Sequence, residues 1–291
     1  MHLQGFRKLG INIIEEYGFI RCNCDKIVGN KINLDFPSVG ATENIMLAAT
    51  LAEGETIITN AAQEPEIIDL QNLLNKMGAK IIGAGTNIII ITGVKKLKPV
   101  SYNIIPDRIE AGTLLCATAI TGGKIKLNNV FSSHIEPIIS KLEECGCEIE
   151  LANKSISLVA PKRLNPIDIK TTPYPGFPTD MQPVFGAMLT VCKGTSIIIE
   201  NIFENRYKYI TELIKMGANI KTEGKMAIIK GTKRLHGAGV DSTDLRGGAA
   251  LVLAGLQAKG KTTVNNIEYI LRGYENLDKK LNMLGANIVK K

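Results

Sequence analysis

The sequence predicts an α/β protein assembled from repeated βαβαββ units, with apolar helices inside and sheets outside. Three observations carry this reading. A short glycine motif recurs as Leu9-Gly-Ile-Asn12, Met77-Gly-Ala-Lys80, Cys145-Gly-Cys-Glu148, Met216-Gly-Ala-Asn219 and Leu284-Gly-Ala-Asn287, so that Gly10, Gly78, Gly146, Gly217 and Gly285 are spaced by 68, 68, 71 and 68 residues. Between these glycines lie helix-length stretches of Ala, Gly, Thr and Leu that are apolar on every face, the composition of a helix buried all round. Each glycine ends an amphipathic helix and precedes Ile-rich runs, as expected of a glycine helix cap feeding a pair of strands.

Taken in order, Leu3 to Ile14 reads as an amphipathic helix, its glycine and the following strand, which is the tail of one unit. The first full unit then has an inner helix at 43–52, a strand at 55–60, an amphipathic helix at 67–77 and strands at 80–83 and 87–92. Inner helices of the later units fall at 112–120, 181–192 and 247–258. On this count the chain holds four whole units and the tail of a fifth, grouped as residues 1–106 and 107–291. No such unit can bury its apolar faces alone, so the units must pack as a group.

Composition narrows the function classes. An apolar fraction of 45% over 291 residues suffices for two cored domains. No apolar run approaches the roughly 18 residues of a membrane span, and no signal-peptide pattern opens the chain, so a cytoplasmic protein is expected. The six cysteines form no disulfide framework, and neither they nor the three histidines have zinc spacing, so no metal and no cofactor is expected. The net charge of +7 comes with scattered Lys and Arg, 5% aromatics and no Trp, which argues against nucleic acid. The excess suits a ligand bearing phosphate or carboxylate, or simply solvates the surface.

Charged residues at the starts of the inner helices are the candidate site. Asp180 follows Phe-Pro-Thr at a helix N-terminus, where a carboxylate reads first as a cap. Asp244 and Arg246 read either as a structural ion pair or as a polar cluster at a cleft, and Asp107, Arg108 and Glu110 likewise as caps and ion pairs or as site residues. Ser38, Val39 and Gly40 open another helix, where free N–H groups suit a phosphate. Arg272, ahead of Gly273 and Tyr274, can bind carboxylate or phosphate in bidentate fashion.

The stretches Ser38-Val-Gly-Ala-Thr42, Glu64-Pro-Glu66, Pro106-Asp-Arg-Ile-Glu-Ala-Gly-Thr113, Phe177-Pro-Thr-Asp-Met-Gln182, Phe203-Glu-Asn-Arg206, Thr243-Asp-Leu-Arg246 and Arg272-Gly-Tyr-Glu275 occur in the same order as in one family. Together they resemble the UDP-N-acetylglucosamine 1-carboxyvinyltransferases, the enolpyruvyl transferases of peptidoglycan synthesis. The resemblance implies an enolpyruvyl transferase fold of six units in two inside-out α/β barrels with a cleft between them. It also implies small-molecule substrates, phosphoenolpyruvate and UDP-N-acetylglucosamine, in place of nucleic acid or membrane. By this resemblance Asp180 serves the attacking sugar hydroxyl, and Arg272 contacts phosphoenolpyruvate. Ser38, Val39, Gly40 and Ile202 touch the nucleotide sugar, while Asp244, Arg246, Arg206, Asp107, Arg108 and Glu110 line the site. The family's Lys-Asn pair and its loop cysteine would lie upstream of residue 1, which implies that this chain alone is inactive without a separate N-terminal fragment. The alternatives are a non-catalytic nucleotide-sugar-binding relic and transfer to another acceptor.

Overall fold

The computed structural model describes residues 1–290. They form two compact units, Met1–Ile105 with Pro173–Pro175, and Pro106–Thr172 with the residues from Gly176 onward.

The first unit opens with α1 (His2–Lys8) and the hairpin β1 (Asn12–Glu16) and β2 (Phe19–Asn23). A complete repeat follows: β3 (Lys31–Asn33), α2 (Val39–Ala49), β4 (Glu55–Thr59), α3 (Pro65–Lys76), β5 (Lys80–Ile82) and β6 (Ile88–Thr92). Its sheet runs β3-β4-β6-β5, parallel at β3–β4 and antiparallel elsewhere. Ile89 and Ile91 of β6 are fully buried with Ile45, Met46 and Ala49 of α2 in one core, so the strands alternate and the helix lies beneath them.

The second unit begins with α4 (Arg108–Thr121), β7 (Lys124–Asn128), α5 (Glu136–Glu144), β8 (Glu148–Ala152) and β9 (Ser155–Val159). Next come β10 (Asp168–Lys170), a 3₁₀ turn at Thr179–Met181, α6 (Gln182–Leu189), β11 (Thr195–Ile199), α7 (Lys208–Lys215), β12 (Asn219–Glu223) and β13 (Met226–Lys230). The unit closes with β14 (Gly239–Asp241), α8 (Leu245–Gln257), β15 (Thr263–Asn265), α9 (Glu268–Leu271) and α10 (Leu277–Met283). Helices α4, α6 and α8 pack on one another as the inner layer, and every residue of α6 is buried. Packing is close enough that a Cβ on Gly186 would come within 2.2 Å of Tyr209 Oη, so only glycine lets that tyrosine lie along α6.

The five repeated glycines all adopt left-handed backbone, with φ of 85° at Gly10, 103° at Gly78, 92° at Gly146, 88° at Gly217 and 101° at Gly285. Each stands just past an outer helix, where an L side chain would be strained. Asn75 clamps the backbone of Ile81 with bonds of 2.7 and 2.8 Å, and Asn282 holds Ile288 in the same way at 2.8 Å, so the repeat extends to side-chain detail.

The count of four whole units needs correction. The sheets of the second unit have three, four and two strands, so only its middle repeat is complete. Residues that would form a leading strand ahead of α4 are held in the first unit, where Tyr102 Oη donates to Asp69 Oδ1 at 2.7 Å. After Gly285 no described residue joins a strand, although Ala286 and Ile288 still pack on the core. Three inner helices also begin earlier than their apolar stretches suggest, because Ser38, Asp107 and Asp244 cap their first turns. No helix of the described residues is long and apolar enough to cross a membrane.

Candidate active site

The N-terminal ends of the inner helices of the second unit carry one aspartate each, and the three behave differently. Asp107 Oδ1 accepts from the backbone of Ile109 at 2.7 Å and of Glu110 at 3.0 Å, capping α4. Asp244 Oδ1 accepts from Arg246 N at 3.0 Å and Gly247 N at 2.9 Å, capping α8. Asp180 caps nothing. It sits in the 3₁₀ turn ahead of α6, and both of its oxygens are taken by arginines: Arg206 Nη2 donates to Oδ1, and Arg246 Nη2 donates to Oδ2 at 3.1 Å.

The Asp180 cap does not form, and Arg246 does not pair with Asp244. Residues two apart at a helix start point to different faces, so Asp244 turns back onto its own backbone while the Arg246 guanidinium reaches Asp180. For Asp107 the capping role holds, and Glu110 pairs with Lys280 of α10. Arg108 is half-buried beside them.

Electrostatics keep Asp180 ionised. Burial alone would push its carboxyl up, but the charges of Arg246 and Arg206, reinforced by their hydrogen bonds, outweigh burial and hold the group below the ordinary carboxylate value. Arg206 is itself fixed by donating Nε to the carbonyl of Thr179 at 3.2 Å and by lying 4.9 Å from the Phe203 ring centre. Arg246 stacks 5.2 Å from the Tyr274 ring centre, and Tyr274 Oη shares a 2.9 Å hydrogen bond with Thr113 Oγ1 on α4. The Nε and Nη1 atoms of Arg246 are buried and have no hydrogen-bond partner among the described residues. A buried donor left so costs about 1–3 kcal/mol, and an anion reaching those atoms would relieve it.

Arg272 is exposed and pairs with no described residue. It is placed by its neighbours: Tyr274 is held under Arg246, and Gly273 lies so close to Leu245 that a Cβ there would meet Leu245 Cδ2 at 2.6 Å. Arg272 therefore stands beside the start of α8. Ile202 is half-buried in the loop that carries Arg206, and its backbone N–H donates to Glu200 Oε1 at 2.8 Å. In the first unit, Ser38 Oγ accepts from Ala41 N at 3.3 Å to cap α2, with Val39 and Gly40 in the first turn. Gly40 faces His2, whose Cε1 would lie 3.2 Å from a Cβ there.

The residue that sequence reasoning missed is Glu200. It is 2% exposed, and its carboxylate accepts from Thr171 Oγ1 (2.8 Å), Ile202 N (2.8 Å), Phe203 N (3.0 Å) and Thr179 Oγ1 (3.0 Å). It thus joins the segment bearing Asp180 to the loop bearing Arg206. A signal was present: an asparagine follows Gly54, Gly123 and Gly260 by six residues, at 60, 129 and 266, whereas after Gly194 one extra residue, Glu200, precedes Asn201. No group of three or more His, Cys, Asp or Glu among the described residues could hold a metal. Burial pushes the Cys147 thiol up to about 11 and raises Cys116 and Cys145 as well, as expected of apolar core thiols.

Apolar helices wrapped by sheets, with an arginine-held carboxylate at the inner-helix ends, form an α/β scaffold shared with solved structures. The enolpyruvyl transferase NikO from Streptomyces tendae superposes with a TM-score of 0.88 at 23% identity, over 98% of this chain and 71% of that one. EPSP synthase from Acinetobacter baumannii gives 0.75 at 20% identity, over 98% and 70%. The family model for EPSP synthase (3-phosphoshikimate 1-carboxyvinyltransferase) matches residues 1–281. UDP-N-acetylglucosamine 1-carboxyvinyltransferase 2 from Caldanaerobacter subterraneus subsp. tengcongensis is 57% identical over 100% of this chain and 70% of its own length. The enzyme of the same name from Clostridium tetani is 55% identical, again over 100% and 70%. The chain belongs to the enolpyruvyl transferase family, on the branch of the UDP-N-acetylglucosamine 1-carboxyvinyltransferases.

Proposed function

We propose that this chain serves transfer of the enolpyruvyl group from phosphoenolpyruvate to the 3-hydroxyl of UDP-N-acetylglucosamine, with release of phosphate, in peptidoglycan synthesis. In that reaction the hydroxyl adds to C2 while C3 gains a proton, and phosphate then leaves as C3 loses one. Asp180 takes or orients the hydroxyl proton, and Arg246, Arg206 and Arg272 balance the anionic donor. Ser38, Val39, Gly40 and Ile202 contact the nucleotide sugar, while Asp107 and Asp244 act indirectly by fixing helix starts and Glu110 by tying α4 to Lys280. Both substrates are polyanions that a bilayer excludes, so the cytoplasm is the proposed location.

One observation carries the reading: a carboxylate shared between two guanidiniums, one of which keeps buried donors unpartnered. An arriving anion can take those donors and loosen the grip on Asp180, making it a better base when the hydroxyl needs one. No described side chain is assigned as the acid toward C3, a role worth about 10² to 10⁴ in rate.

The test is phosphate release from both substrates together, by the chain alone and with the remaining part of a 57%-identical relative supplied as a second polypeptide. Near-background release alone, turnover on mixing, and its loss in Asp180→Asn are expected. Undiminished turnover in Asp180→Asn would remove Asp180 from the mechanism.

A further inference from the structure

The inner helices of the second unit end together as they begin together. Asp107, Asp180 and Asp244 mark their starts. At their far ends lies a cavity of about 140 Å³, walled by Thr121 at the end of α4, Val191 beyond α6 and Gln257 at the end of α8, with Lys162, Arg163 and Lys233 from the loops after β9 and β13. Helix α8 has 13 residues, about 20 Å at 1.5 Å per residue, so this cavity is remote from Asp180.

The two loops carry a basic pair in the same register. Lys162-Arg163 follows β9 as Lys233-Arg234 follows β13, each ahead of a buried leucine, Leu164 or Leu235. Arg163 is committed to backbone: Nη2 donates to the carbonyls of Cys192 at 2.9 Å and Thr232 at 3.3 Å, and Nε to that of Val191 at 3.4 Å. It ties one loop to the other and so brings both lysines to one cavity. Lys162 and Lys233 are exposed and join no ion pair among the described residues, and no carboxylate lines the cavity. Cations at helix C-termini offset the macrodipole, which amounts to about half a negative charge per helix. Three helix ends thus call for about 1.5 positive charges in all, whereas the wall carries Lys162, Arg163 and Lys233. The surplus suits an anion.

Size and donor type narrow the choice. A cavity of about 150 Å³ holds one benzene-sized molecule, so the occupant has about six heavy atoms. With the guanidinium of the wall spent on carbonyls, two ammonium point charges remain, which serve phosphate, whereas a carboxylate is best met by a free guanidinium fork. We infer that this cavity binds inorganic phosphate between Lys162 and Lys233, with Gln257 as a further donor. The inference is independent of the catalytic reading, since it concerns the opposite ends of the helices.

The test is titration of the full chain with inorganic phosphate at constant ionic strength, followed by the amide chemical shifts of residues 162–164 and 232–234. Saturable shifts are expected there, with affinity weakened about tenfold when Lys162→Gln and Lys233→Gln are combined, a change at exposed positions that leaves the fold intact. Lys95→Gln with Lys96→Gln removes the same charge from the equivalent loop of the first unit and should leave the shifts unchanged. Glycerol 3-phosphate, the same charged head on a larger body, should bind more weakly than the bare ion. Four outcomes overturn the inference: no saturable shift at these amides; equal weakening by the two double variants, which would mean general charge attraction only; tighter binding of the ester; or shifts confined to residues 244–247, which would put phosphate at the Asp180 end alone.

Discussion

Replacing Glu200 by alanine removes the acceptor from four donors at once, and the consequence can be worked from their geometry. Two of the donors are the backbone amides of Ile202 and Phe203, at 2.8 and 3.0 Å, and the carboxylate is almost fully buried. A hydrogen bond to a charged group contributes about 1.5–3 kcal/mol, so losing two amide bonds costs the loop about 3 kcal/mol or more of local stability. At about 1.4 kcal/mol per factor of ten, amide exchange at those two residues should accelerate by about a hundredfold in Glu200→Ala. Glu200→Gln is the control. Its carbonyl can still accept from Thr171, Ile202 and Phe203, while its amide faces the Thr179 hydroxyl, which can turn to accept, so the loss should stay below about 1 kcal/mol. The assay is hydrogen–deuterium exchange resolved to these amides, and it needs no turnover. Unchanged protection in a folded Glu200→Ala chain would refute the view that this carboxylate orders the Arg206 loop.

Other expectations concern charge and packing. Because the Asp180 carboxyl is held below its ordinary value, its ion pairs stabilise the fold at neutral pH, fully so above the unfolded-state value of about 4, and the contribution fades as pH falls through the lower folded value. Denaturation midpoints between pH 3 and 6 should show an acid-limb component in the wild type that Asp180→Asn lacks. The exposure of that side chain, 41%, keeps the component small. Gly186→Ala should cost about 1–3 kcal/mol by overpacking against Tyr209, read as a lowered melting temperature. An unchanged midpoint would mean that Tyr209 can move aside.

Much of the scaffold was legible because it depends on local rules. Five glycines at near-constant spacing mark five left-handed helix ends, and stretches without a polar face mark the buried inner helices. Helix starts were less legible, since the polar residues that begin α4 and α8 look like loop until their caps are seen. The pairing of Asp180 with Arg206 and Arg246 could not be read from spacing, because the partners lie 26 and 66 residues away and meet only when the inner helices align. Glu200 was visible as a break in the repeat, yet a break alone does not say that the extra side chain turns inward.

The bonds that join Thr113 to Tyr274 and Glu110 to Lys280 link positions 161 and 170 residues apart. They fasten the first helix of the second unit to the segment from Tyr274 into α10, much as a clasp closes a bracelet. A ribosome must therefore deliver nearly the whole sequence before Arg246 acquires its aromatic support, and the earlier repeats have to wait with their inner faces only partly covered. A chain cut near residue 270 would lack Tyr274 and Lys280, and with them both bonds to α4.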